Sequence, residues 1–235
     1  MKKIQLKQVL RNKRFVLFTI ILPIGWYIFF DQLQKGVSPS ILLGIAVFIG
    51  VIGNSLATFS KRIASDIGFY SFESHFTSYS VKHYLWDQSI VQLILNSLIF
   101  LAVLVVAVLG FHFPVTTSLL VQFFLLSLMG IYFSVIGFVL GVRVDAKTID
   151  TIGFPVIILA AMTIIPFDTL GASGGFMDLV GKLQRVFPGY YYTKLIQDLT
   201  EKQTIDASQL ALFVAVFALN LLFFYLLVPK GKMGN

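Results

Sequence analysis

The chain contains no cysteine. Disulfides, thiolate metal sites and cysteine nucleophiles are therefore excluded. Acidic residues are scarce, 11 Asp and Glu against 18 Lys and Arg, and no long apolar stretch carries an ionised residue in its middle. Charges at membrane depth mark proton relays and ion pathways, so their absence argues against a proton- or sodium-coupled transporter. The three histidines, His75, His83 and His112, have no metal-ligand spacing. No G-x-x-x-x-G-K-[ST] loop is present, which excludes ATP binding by that route. The glycine-rich stretch 171–175 follows no strand, carries no lysine and reads as a hinge. An intramembrane hydrolase would need paired carboxylates or a metal cluster at depth, and neither is visible. Any energised work must therefore draw its energy from a partner.

What the chain does have is apolar length. A spanning helix needs about 20 mostly apolar residues. The pattern predicts an all-α, polytopic integral membrane protein with six transmembrane helices, at 15–30, 41–60, 89–111, 115–142, 149–167 and 207–228. The first run is short but ends in Trp26 and Tyr27, residues suited to the interface. The fourth is long and should tilt or extend beyond the membrane. Helices are forced, because an unpaired backbone group in lipid costs several kcal/mol. A barrel would alternate over segments of about 10 residues, whereas these runs are continuous. Residues 31–35 lack a small-x-small cleavage site, so the first run reads as a span and not a signal peptide.

Positive charge sets the orientation. Lys2, Lys3, Lys7, Arg11, Lys13 and Arg14 precede the first span, and Lys61, Arg62 and Lys82 follow the second. Arg143 and Lys147 follow the fourth, and Lys230 and Lys232 end the chain. Thirteen of the 18 cations thus fall on one side. The expectation is a multi-pass protein of the cell membrane with both termini cytoplasmic. A nucleic-acid role is not supported, because no compact basic domain exists to carry it.

Four segments carry more than topology. First, Leu6, Val9 and Leu10 recur at helical spacing among Lys3, Lys7 and Arg11, which suits a helix at 1–14 lying among lipid head groups. The plainer reading is a basic flank that only orients the chain. Second, the connection 61–88 is long and aromatic. Phe69, Phe72, Phe76, Tyr79 and His83 form one helical stripe, able to pack on the protein's own helices, lie in the interface or enter a partner's groove. Third, Ala46, Gly50, Gly53 and Ala57 repeat a small-residue spacing in the second span, as do Gly130, Ser134, Gly137 and Gly141 in the fourth. Such faces let membrane helices approach closely. Asn54, Asn96 and Asn220 are polar at membrane depth, able to bond between helices or line a cavity. Fourth, Phe176, Leu179, Val180, Leu183, Val186 and Phe187 make an amphipathic helix that Pro188 and Gly189 stop. Tyr190, Tyr191 and Tyr192 follow, then a second short helical pattern through Leu199. The outer segment 168–206 reads either as short helices dipping back into the bundle or as a helix lying flat with a tyrosine belt.

These four features in this order resemble the type-2 ATP-binding-cassette permease family, over essentially the whole chain. Its members carry an amino-terminal elbow helix, six spans, a coupling helix between spans two and three, and short re-entrant helices before span six. The most specific piece is Pro166-Phe167 followed by Phe187-Pro188-Gly189-Tyr190-Tyr191, similar to the family's apolar-Pro turn and Phe/Leu-Pro-x-x-Tyr pattern. The cytoplasmic connection departs from it. Where members often carry Glu-x-Gly-Thr and Pro-x-Ser-Arg, this chain has Asp66-Ile67-Gly68-Phe69 and Thr77-Ser78-Tyr79-Ser80. The resemblance implies a coupling helix near residues 68–80.

It also implies a machine of two permease subunits, identical or paralogous, with two separate ATPase chains that bind ATP and Mg2+. This chain would then hold no cofactor and no catalytic residue. Phe69, Phe72, Phe76 and Tyr79 would couple to the ATPase. Pro166, Phe187, Pro188 and Tyr191 would form an outer gate. The small-residue spacing by itself predicts that Gly50, Gly53, Gly137 and Gly141 pack helices. The expected activity is export of an amphipathic or hydrophobic cargo, namely a drug, an antimicrobial peptide or a lipid-like molecule. Two other readings stand beside it: a substrate-capture subunit of an energy-coupling-factor importer, and a non-transporting membrane assembly or immunity protein.

Overall fold

The computed structural model describes residues 7, 11, 16–33, 37–73, 81–165, 167, 174–202 and 204–227. It is all-helical, with no strand among the described residues. A π-helical turn at Leu17–Ile21 leads into α1, Leu22–Leu33. The helix α2 spans Pro39–Ile52 and continues without a break through a π-helical stretch, Gly53–Phe59, into α3, Ser60–Glu73. Then come α4 at Val81–Phe111, α5 at Ser118–Arg143 and α6 at Ala146–Met162. Two short helices follow, α7 at Gly175–Gln184 and α8 at Pro188–Glu201. The last is α9, Ala207–Leu226.

Among the described residues, four helices are long and apolar enough to cross a membrane: Pro39–Gly68, Trp86–Phe111, Ser118–Arg143 and Ala207–Leu226. The chain is accordingly a helical, membrane-embedded protein. Its surface agrees, because Leu109, Leu120, Phe124, Phe154, Leu219 and Phe223 are large, apolar and exposed. Patches of that kind are rare on soluble monomers. The first and fifth predicted runs form shorter helices. The apolar helix Thr19–Leu33 is about 22 Å long, and α6, with 17 residues, about 26 Å. The hydrocarbon core is about 30 Å thick.

The ends of the helices follow from local chemistry. Pro39 starts α2 and Pro188 starts α8, each at a position whose N–H would be unpaired in any case. At the end of α4, His112 takes the left-handed conformation (φ 54°), and Phe113 N donates back to Ala107 O at 3.1 Å. That closure meets a terminal carbonyl, and Pro114 then cannot continue the helix. Asp145 caps α6 through Lys147 N and Thr148 N, both at 3.0 Å, and Asp206 caps α9 through Ser208 N at 2.8 Å.

The connection 61–88 is more ordered than the term loop suggests. It is helical through Glu73 and again from Val81, because nothing in 61–73 breaks a helix that α2 has already started. Phe69 and Phe72 fall on α3, while Phe76 and Tyr79 lie outside the described residues. Of the predicted elbow 1–14, only Lys7 and Arg11 are described, and Arg11 N donates to Lys7 O at 3.1 Å.

The Pro39–Gly68 helix is central. In its most apolar window 83% of residues are buried, against 6% in α9. It packs against α1, α4, α5, α6 and α8. The core between them is aromatic, built on Tyr27, Phe48, Tyr132, Phe133 and Phe213. The bundle has two distinct ends. One gathers the start of α2, the end of α4, the start of α5 and the pair α7–α8. The other gathers α3, the start of α6 and the last turn of α9, where Arg143 Nε donates to Leu227 O at 2.6 Å. At that end Lys61 also pairs with Asp150, tying α3 to α6.

Candidate functional site

The helix pair α7–α8 is set into the bundle. Asn220 Nδ2 donates at 3.0 Å to Val186 O, in the turn between the two short helices. Asn220 lies about 20 Å along α9 from Ala207. The turn therefore reaches well down the bundle. From there α8 climbs back toward α9's start, burying Pro188, Gly189, Tyr192, Thr193, Leu195 and Ile196 against α2, α5 and α9.

The pair fills the space above a truncated helix. A helix that ends inside a bundle leaves its last carbonyls without intrahelical donors. Here Gln184 Nε2 donates to Met162 O at 2.6 Å and to Ile165 O at 2.8 Å. Thr193 Oγ1 donates to Ile164 O at 3.1 Å. Three carbonyls at the end of α6 are thus met by side chains of α7 and α8. Leaving one buried and unmet would cost about 1–3 kcal/mol. The close approach explains Gly189, where a Cβ would lie 2.6 Å from Ile164 Cγ1. Tyr192 is seated under α2. Its ring meets Phe48 edge-on at 4.6 Å, and its hydroxyl lies where a Cβ on Gly44 would sit, at 2.7 Å.

Of the four outer residues picked from the sequence, three share this place. Phe187 is the half-buried N-cap of α8, Pro188 its buried first residue, and Tyr191 half-buried one turn on. Pro166 lies outside the described residues. The Gln184 and Thr193 contacts have no signature in the sequence. Nothing in their local pattern distinguishes them from other polar residues on an amphipathic helix.

A polar layer crosses the middle of the bundle. Asn54 Nδ2 donates to Asn96 Oδ1 at 3.1 Å. Gln92 Nε2 donates to the same oxygen at 3.3 Å and to Ser55 Oγ at 3.2 Å. Ser55 Oγ and Ser134 Oγ lie 3.4 Å apart, and Tyr132 Oη donates to Asn220 Oδ1 at 3.3 Å. Asn54, Ser55 and Gln92 are fully buried. Asn54, Asn96 and Asn220 stood out in the sequence. Gln88 and Gln92 did not, although with Asn96 they recur every fourth residue on α4, which was the available signal.

The predicted packing glycines divide. A Cβ on Gly137 would lie 2.1 Å from Ser55 O, and one on Gly141 2.5 Å from Ser60 O. At these two positions α5 rests on the backbone carbonyls of the π-helical stretch and the start of α3. Gly50 faces Pro23 and Ile99, at 2.5 and 2.7 Å from an added Cβ. Gly53 has open space beside it, with nothing within 4 Å. Electrostatics are confined to the ends. The Thr148 hydroxyl, 2.6 Å from Asp145, and the Thr148 and Lys147 amides hold that exposed carboxyl below its usual range.

No family model, no curated protein and no solved structure matches the chain.

Proposed function

We propose that the chain is the membrane-spanning permease subunit of an ATP-binding-cassette exporter. The observation that carries this reading is the α7–α8 pair, two short helices seated in one end of the bundle immediately before the last long helix. That arrangement supports the resemblance seen in the sequence at its most specific point. In this reading α1 and α6 complete six crossings, and residues 1–14 lie along the cytoplasmic interface. Both termini are cytoplasmic. The α3 helix projects toward a soluble ATPase, and residues near 68–80 seat in a groove of that ATPase through Phe69, Phe72, Phe76 and Tyr79. ATP and Mg2+ are held by two such ATPase chains, so this subunit is not itself an enzyme. A second permease subunit completes the assembly.

The mechanism then runs through rigid elements. Closure of the ATPase dimer moves α3, and the Pro39–Glu73 helix is continuous, so the motion enters the middle of the bundle directly. Parting of the helices at the opposite end frees a path beside the α7–α8 pair, whose Phe187, Pro188 and Tyr191 act as the gate. The lack of ionised residues in the middle of the apolar stretches favours an amphipathic or hydrophobic cargo over a charged one.

A mild-detergent pull-down of the tagged chain tests the reading. A stoichiometric soluble chain with a Walker motif supports it. A chain that purifies without any ATPase removes the energy source and sinks it. Phe72→Ala combined with Phe76→Ala is expected to weaken ATPase association at least about tenfold, as for paired aromatic hot spots, while membrane insertion is unchanged. Unaltered complex yield would refute the coupling assignment.

A further inference from the structure

The polar layer holds more hydrogen-bonding capacity than its own members use. Asn54 and Gln92 are each 0% exposed and Asn96 is 6% exposed. Both amide bonds among the three converge on Asn96 Oδ1, from Asn54 Nδ2 and Gln92 Nε2. Three amide ends then have no partner: Asn54 Oδ1, Gln92 Oε1 and Asn96 Nδ2. Buried polar groups in folded proteins are nearly always met, by protein or by ordered water. These three come from the π-helical stretch and from α4, so no chance distortion of one helix accounts for them.

The kinds of unmet group restrict the partner. Two are acceptors and one is a donor. Turning all three amides over leaves two donors and one acceptor. The set is mixed in either orientation. A metal or alkali cation would face an N–H, and an anion would face a carbonyl. Water, which both donates and accepts, meets either kind of end without bringing a charge into the bundle. Of the three, Asn96 alone has room beside it, in a small cavity whose other polar lining residue is Ser127 and whose walls are Val47, Val51, Leu93, Phe100, Phe123 and Leu126. Its size suits about one water molecule, which needs two to four polar partners.

We infer that Asn96, the hub of the Asn54–Gln92–Asn96 cluster, holds an ordered water beside Ser127 in the centre of the bundle. The inference stands on side-chain geometry and does not depend on the transport reading. Its consequence is mechanical. The π-helical stretch and α4 are joined there by amide bonds for which bound water competes, so the joint can exchange partners without exposing a bare polar group to an apolar interior.

Radiolytic hydroxyl labelling of the full chain in lipid nanodiscs tests this, because radicals form from water in place and oxidise the side chains beside it. Phe100 lines the cavity and is 4% exposed, whereas Phe133 is 1% exposed and does not line it. Phe100 is expected to label about tenfold faster than Phe133 if an ordered water sits beside Asn96. In Asn96→Leu, checked for folding by gel filtration, Phe100 should fall to the Phe133 rate. Equal, slow labelling of both rings in the unaltered chain would overturn the site. So would fast Phe100 labelling that survives in a folded Asn96→Leu, since the water would then not be held by the amides.

Discussion

Gly137 and Gly141 show what a single hydrogen atom decides in this bundle. At both positions the neighbour of a missing Cβ is a backbone carbonyl, Ser55 O or Ser60 O, which cannot rotate away as a side chain can. Contacts of Cα–H with carbonyl oxygen are individually weak, but they set the distance between helices. Gly137→Ala is therefore expected to destabilise the chain by about 1–3 kcal/mol, the usual cost of overpacking. Gly68 is the control: it is exposed on α3, with nothing within 4 Å of an added Cβ. Gly68→Ala should stabilise by up to about 1 kcal/mol, the helix-propensity difference. Thermal unfolding in detergent, followed by size-exclusion fluorescence, measures both. Equal effects of the two substitutions would mean that α5 does not rest on those carbonyls. Sequence spacing marked Gly50, Gly53, Gly137 and Gly141 alike, yet the room beside Gly53 is open. Spacing reports that a face is small, and the partner's position decides whether smallness is needed.

At the scale of elements, the informative unit is α6 with the pair above it. Seventeen residues, continuous through Pro155, make a helix that stops short, and the side chains of Gln184 and Thr193 complete it. Gln184→Leu keeps the bulk and removes both donors; Ile165 O still accepts from Phe167 N at 2.9 Å, so the Met162 carbonyl is the one left unmet, at about 1–3 kcal/mol. The expected result is faster proteolysis between residues 163 and 187 in intact membranes, with the long helices still protected. Unchanged cleavage would show that apolar packing alone seats the pair. The amphipathic face of α7 and the proline that starts α8 were legible as sequence. That the pair turns inward was not, because a helix lying flat on the membrane has the same pattern. The deciding contact, Asn220 with Val186 O, joins residues 34 apart.

For the molecule as a whole, the question is how many helices cross. Four are long enough by themselves, while the Thr19–Leu33 helix and α6 are several ångströms short of a typical core. Local thinning and flanking residues accommodate such a mismatch at fractions of a kcal/mol per ångström. The proposed permease reading takes six crossings, with both termini on one side. The absence of cysteine makes this directly measurable. Single cysteines at Ser118 and Thr204 should react with an impermeant maleimide in intact cells. Those at Asp66 and Lys147 should react only after the membrane is opened. Protection of Thr204 until the membrane is opened would remove α6 as a crossing, and labelling of Lys147 from outside would invert the orientation.

The sequence by itself determined that the chain is helical, that lipid is its solvent, and which segments are apolar enough to meet it. Those properties follow from composition and period, since unpaired backbone in lipid leaves few alternatives. It also marked Asn54, Asn96 and the Phe187-Pro188 turn as positions out of keeping with their surroundings. Tertiary structure alone decided what those positions meet. Hydrogen bonds and close backbone approaches are short-ranged, and they join residues as far as 89 positions apart here, as Lys61 and Asp150 are. No local pattern encodes a distance between two helices. That distance is set by how all of them pack at once, and it placed the amide cluster, the carbonyls under Gly137 and the floor beneath α8.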